Sequence, residues 1–157
     1  VQLRASEEYG LRCLLQVARG YGGAPVALSG IAAAEGLSLE YAAKLLRRLR
    51  LAGLVRSLRG ARGGYELARA PEEISVWSAL EALGGEFFAA DFCACHAGAR
   101  PRCVRASDCS LRALWRRVQA ALREALARVS VADLARGERA MAAWLAHRPG
   151  DAGWIQI

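Results

Sequence analysis

Along most of this chain apolar residues return every three or four positions, the period of a helix with one buried face. The pattern breaks where glycines gather. Leu11, Leu14, Leu15 and Ala18 form the first stripe, with Ser6 placed to cap it and Gly20, Gly22 and Gly23 to end it. Glu7 and Glu8 stand in its first turn, where the helix dipole favours anions. This predicts a helix over 6–19, with Cys13 as a small buried thiol inside it. Ser29 is placed to cap a short helix over 30–35, closed by Gly36, and Ser38 to cap a second over 39–51. In that second helix Ala42, Leu45, Leu46 and Leu49 face inward, leaving Glu40, Ala43, Lys44, Arg47, Arg48 and Arg50 outside. Two short helices across a tight glycine turn form a helix-turn-helix. The motif sets the N-terminal residues of its second helix against base edges.

After Gly53 the pattern shortens to two strand-like pieces, 54–57 and 65–67, joined by Arg-Gly-Ala-Arg-Gly-Gly. This is a β-hairpin wing, with glycines for the turn and Arg59 and Arg62 at its tip. Pro71 opens another helical region, started by Glu73 or Ser75, ended by Gly84-Gly85, and buried through Ile74, Trp77, Leu80 and Leu83. Helical periodicity resumes at Asp108. Leu111, Leu114, Trp115, Val118, Ala121, Leu122, Ala125, Leu126 and Val129 make a stripe longer than one small winged domain needs, so part of it is expected to bury against a second subunit. Ser130 caps a short piece, Val-Ala-Asp-Leu-Ala, and Gly137 separates it from a last helical segment. The reading is mainly α with a small wing: a winged helix-turn-helix with a long dimerisation helix. Its divisions are a DNA-binding domain over 1–84, a cysteine-rich sensor loop over 85–109, the dimerisation helix and C-terminal helical segment over 110–148, and a tail over 149–157.

Charge sharpens this picture. The segment 44–69 holds Lys44, Arg47, Arg48, Arg50, Arg56, Arg59, Arg62 and Arg69 against Glu66 alone, a surplus equal to the whole chain's formal charge of +7. A surplus so concentrated marks a polyanion partner. Double-stranded DNA is the partner expected, a palindromic operator if the protein is a homodimer. Its contacts would come from Ser38, Glu40, Tyr41, Lys44, Arg47 and Arg48 on the helix, and from Arg56, Arg59 and Arg62 on the wing. A 54% hydrophobic composition over 157 residues supports a real core. Charged residues interrupt every candidate membrane span. The N-terminal stretch has no apolar signal core, so a cytoplasmic location is expected.

Four of the five cysteines lie at Cys93-x-Cys95-x7-Cys103-x5-Cys109. In a reducing compartment such clustering points to metal ligands or redox thiols before disulfides. Spacing alone leaves two choices open: an iron–sulfur cluster of two or four irons on thiolates, or zinc on Cys95, His96, Cys103 and Cys109. His96 taken alone reads as a solvated loop residue and His147 as a helix-end residue.

The block GLSLEYAAKLLRRLRLAGLVRSLRGARGGYELAR with the following PEEISV resembles the winged helix-turn-helix transcriptional regulators of the IscR/NsrR type. The likeness runs from Tyr9-Gly-Leu-Arg12 through CSLRALW (109–115) to SVADLA (130–135), nearly the whole chain. It implies a homodimeric repressor or activator whose long helix builds the dimer, and an iron–sulfur cluster held by three loop cysteines. In some relatives a carboxylate from the partner subunit's first helix is the fourth ligand, and that position matches Glu8. Other members lack the cysteines and sense something else. The chain departs from the pattern in three places. The gap before the middle cysteine is longer, so the first ligand is Cys93, at the family's approximate offset from the wing, or Cys95. Arg112 stands where IscR has a histidine ligand, which excludes that ligand set. Ala43 occupies a position where some members carry a base-reading acid, so the preferred DNA sequence should differ.

The chain shows no base–nucleophile pairing, no phosphate-binding motif and no paired carboxylates for acid–base work. That sets aside, without eliminating, a redox-thiol or zinc enzyme on the same scaffold. A winged helix that offers its basic face to an acidic protein is the third reading. Salt-dependent preference for one palindromic duplex separates the DNA reader from both.

Overall fold

The computed structural model describes residues 3–60, 62–84, 88 and 91–147. Its elements run α1 (Ala5–Arg19), α2 (Leu28–Glu35), α3 (Leu39–Leu51), β1 (Val55–Leu58), β2 (Gly64–Leu67), a 3-10 turn (Pro71–Glu73), α4 (Val76–Leu83), α5 (Phe92–Cys95), α6 (Ser110–Ala127), α7 (Val131–Leu134) and α8 (Glu138–Ala146). Gly85, Ala61 at the wing tip and the proposed tail lie outside the described residues.

Local chemistry sets most of the ends. Ser38 and Ser75 cap α3 and α4 as expected, each Oγ accepting a backbone N–H three residues on, from Tyr41 at 3.2 Å and Ser78 at 3.1 Å. Two expected caps are not used. The first helix begins at Ala5 with Arg4 as its cap residue, and the Glu7 carboxylate accepts the Arg4 N–H at 3.0 Å, so Ser6 is already inside the helix. The second begins at Leu28 after Ala27, two residues earlier than a Ser29 cap would allow. Gly36 closes α2 and Gly84 closes α4 in the left-handed conformation, where glycine carries no Cβ penalty.

A single apolar core joins α1, α2, α3, the wing base and α4. Leu14, Val17, Ile31, Leu45, Leu46, Leu49, Leu54, Val55, Ile74 and Leu83 are almost wholly buried there, with Cys13 among them. The wing is an antiparallel pair in the register Val55↔Leu67, Arg56↔Glu66, Ser57↔Tyr65 and Leu58↔Gly64. It is anchored from outside the hairpin, because Val26 and Tyr65 exchange backbone hydrogen bonds at 2.8 and 2.9 Å. Gly64 makes that approach possible: a Cβ there would stand 2.5 Å from the Val26 carbonyl oxygen.

Sequence periodicity groups Val129 and the SVADLA segment with the long helix. In the fold they dock on the winged half. Val76 N–H donates to Val129 O and Val131 N–H donates to Ile74 O, both at 2.8 Å, and Val131 is fully buried in the main core. By contrast α6 has no buried residue, and Leu111 and Leu114 are each about half exposed.

Candidate nucleic-acid interface and cysteine cleft

The exposed side of α3 carries Leu39, Glu40, Lys44, Arg47 and Arg50, with Ala43 half-buried between them. Ser38 is exposed, but its hydroxyl is committed to the helix cap. Tyr41 is half-buried and meets the Tyr9 ring edge-on at 6.2 Å, so it ties the start of α3 to α1. Arg48 turns away from the exposed side: it is half-buried, and its Nη1 donates to the Leu83 carbonyl at 2.9 Å. On the wing, Arg59 and Arg62 are exposed at the tip, whereas Arg56 pairs across the strands with Glu66. Lys44, Arg47 and Arg50 on the helix and Arg59 and Arg62 on the wing are thus exposed cations, as is Arg56 despite its pairing with Glu66.

The α1–α2 junction supports this surface from behind. Arg12 Nε donates to Glu35 at 2.6 Å, Gln16 donates to the same carboxylate, and the Arg12 guanidinium lies over the Tyr9 ring at 5.2 Å. The Glu35 carboxyl sits below its ordinary range: burial pushes it up, but the bonds from Gln16 and Arg12 outweigh that. Arg12 is held above its ordinary range, first by its bond to Glu35 and to a lesser degree by the nearby charge of Glu8.

The four loop cysteines are not equivalent. Cys93, Cys103 and Cys109 line one open cleft of about 200 Å³, together with Pro101, Arg102, Arg105 and Arg112. Cys95 does not line it. That thiol is exposed and donates to Asp91 at 3.6 Å, and the adjacent carboxylate holds its proton affinity above the usual thiol range. One turn of helix, α5, sorts the pair: Cys93 and Cys95 are two positions apart and point to different sides. The stretch 91–109 has no apolar period in its sequence by which this turn could be found. Cys109 is itself the N-cap of α6, its sulfur accepting the Arg112 N–H at 3.4 Å. Arg112 Nη1 donates to Ala106 O at 3.0 Å and so fastens the cleft wall to the helix start.

Three soft thiols facing one cleft, ringed by arginines, suit an anionic thiolate-bound group. Among the described residues no three His, Cys, Asp or Glu side chains are drawn together closely enough to hold a single metal ion. The cysteine–histidine zinc set is not brought together either: the His96 ring stacks on Phe92 at 4.1 Å and its Nδ1–H donates to Phe92 O at 2.7 Å. Glu8 is exposed on the first turn of α1 and does not line the cleft of its own subunit. Cys13 is fully buried, and burial raises its thiol to about 11, so it stays protonated and inert. Among the described residues no helix is long and apolar enough to cross a membrane.

Comparison with known proteins agrees with this geometry. The family model described as "Rrf2: Iron-dependent Transcriptional regulator" matches residues 3–137. Protein rrf2 of Nitratidesulfovibrio vulgaris is 36% identical over 136 residues, covering 87% of this chain and 88% of that protein. The structure of CymR, the global cysteine regulator of B. subtilis, superposes with a TM-score of 0.68 at 30% identity, covering 86% of this chain and 96% of that one. T. potens IscR superposes with a TM-score of 0.66 at 27% identity, covering 100% and 94%. These relatives are regulators rather than enzymes, and the helix-turn-helix, the wing and the basic surface are all present here. The chain belongs to the Rrf2 family and is a DNA-binding transcriptional regulator.

Proposed function

We propose that the protein is a homodimeric regulator whose affinity for a palindromic operator is set by an iron–sulfur cluster. Cys93, Cys103 and Cys109 would hold the cluster, with Glu8 of the partner subunit as fourth ligand. The observation that carries this reading is the sorting of the cysteines: three share one cleft and the fourth is paired with Asp91 outside it. A cluster spreads its thiolates over several irons and so accepts a wider set of donors than a single ion does. When bound, it supplies a redox-active and chemically labile centre. The chain's residues do the rest. Cys109 joins the cleft directly to the first turn of α6. Arg102, Arg105 and Arg112 favour negative charge there. A hard carboxylate at the fourth position leaves one exchangeable bond. Any cluster state that binds the DNA-competent dimer better shifts the population toward it, and DNA shifts cluster affinity reciprocally.

The test is anaerobic reconstitution with iron and sulfide analysis and timed exposure to air. Cys93→Ala, Cys103→Ala and Cys109→Ala are expected to lose the cluster and Cys95→Ala to keep it, while Glu8→Ala keeps one that decays faster in air. Full iron and sulfide content in Cys109→Ala would sink the assignment, as would stoichiometric zinc without sulfide. The likeness to CymR supports a second reading, a thiol-based regulator with no cluster on the same cleft. Under it the wild-type protein takes up no sulfide, and DNA binding responds to oxidation of these thiols.

A further inference from the structure

The root of the sensor segment is held by the DNA-binding half. α4 ends at Leu83, Gly84 closes it at φ 90°, and the cysteine region follows in the chain. The last two carbonyls there are each taken by an arginine, one within α3 and one at the cap of α1. Arg48 of α3 donates to Leu83 O, and Arg4 beside α1 donates to Gly84 O, both at 2.9 Å. The helix α1 presses on the same point through Gly10, where an added Cβ would stand 2.3 Å from a Leu83 methyl. Helix C-terminal carbonyls carry partial negative charge, so a guanidinium bonded to one is a directional tie. The other flank of α4 faces the long helix: Arg123 of α6 lies 3.8 Å from Glu81 and over the Trp77 ring at 5.8 Å. Phe88 N–H, on the way to the cysteines, donates to Gln119 of α6.

We infer that Arg48 is a positioning residue that makes recognition-helix orientation depend on the state of the sensor segment, an inference resting on the cluster reading above. Neighbouring side chains on a helix diverge by about 100°. Arg47 therefore faces out with the DNA-reading side chains while Arg48 reaches back to α4. A turn or shift at the end of α4, driven from the cleft or from α6, moves Leu83 O. The recognition helix follows through Arg48. Of two adjacent arginines in one basic run, one binds the phosphate backbone and the other transmits.

The experiment uses the full-length protein, cluster-loaded and cluster-free, and a duplex selected from random DNA by wild-type protein. Affinity is measured across a salt series for wild type, R48A, R48K and R47A. The two wild-type states should differ by a factor within the usual allosteric range of about 5–150. R48A should bring them to within about twofold with the salt slope unchanged, R48K falling between because it keeps one donor for the carbonyl. R47A should weaken both states alike and lower the salt slope by about 1. R48A behaving as R47A does would make Arg48 a phosphate contact and overturn the inference. So would an undiminished ratio in R48A, or in R48K should R48A not fold. Failure there with a responsive wild type leaves the sensor reading standing. Wild-type states that bind alike sink both.

Discussion

At the scale of single residues, what matters is where each arginine's bonds go. Of the cations that the sequence assigns to DNA, Arg48 is half-buried and bonded within the fold and Arg56 is exposed but paired with Glu66, whereas Lys44, Arg47, Arg59 and Arg62 stand exposed. Arg59→Ala is expected to weaken operator binding by about 1–3 kcal/mol if its side chain enters a groove. Lys44→Ala should relax base preference, since it lies on the exposed side of α3. Anisotropy titrations against the selected duplex and single-base variants check both. Unchanged affinity and unchanged preference would remove these residues from the interface. The residue types were legible in the sequence. The different placement of Arg47 and Arg48 was not, because it depends on the position of a carbonyl 35 residues away in the chain.

At the scale of elements, the wing shows how little of a hairpin is local. Alternation and the RGARGG turn identify two strands, yet the observed pair is 55–58 with 64–67, and its orientation is fixed by Val26, far upstream. Replacing Gly64 by alanine would force a Cβ against the Val26 carbonyl. The expected cost is about 1–3 kcal/mol of stability, as for other overpacked sites, with a further loss of operator affinity as the wing shifts. Thermal unfolding together with the binding titration checks this, and a G64A protein of wild-type stability and affinity would show that the Val26 contact is dispensable. Cap residues repeat the lesson. Ser38, Ser75 and Ser130 are used as the sequence suggests, but Ser6 and Ser29 are not, because Arg4 with Glu7 and then Ala27 start those helices earlier.

At the scale of the whole molecule, α4 covers only part of the apolar stripe of α6. The long helix has no buried residue, Leu111 and Leu114 are half exposed, and its stripe continues through Trp115, Val118 and Leu122. An apolar face of this length on a DNA-binding regulator is expected to bury against a second copy. Sedimentation is expected to give a homodimer at micromolar concentration, shifted toward monomer by Leu111→Glu with Leu114→Glu. A stable wild-type monomer would contradict this. Dimerisation through α6 would also set the spacing of two recognition helices on a palindrome.

The sequence alone determined the helical stripes, the helix-turn-helix with its wing, the buried Cys13 and the concentration of charge, because periodicity and composition are local properties of a chain. It also supplied the candidate thiols. Only the tertiary structure decided which of them share a cleft. Cys93 and Cys95 are two residues apart in sequence, and a single helical turn sends them to different sides. Only the fold, too, drew Val131 back into the winged core and turned Arg48 from the exposed side of α3 to the end of α4. Each of these is a long-range packing choice. Its energy lies in contacts between segments that no local pattern relates.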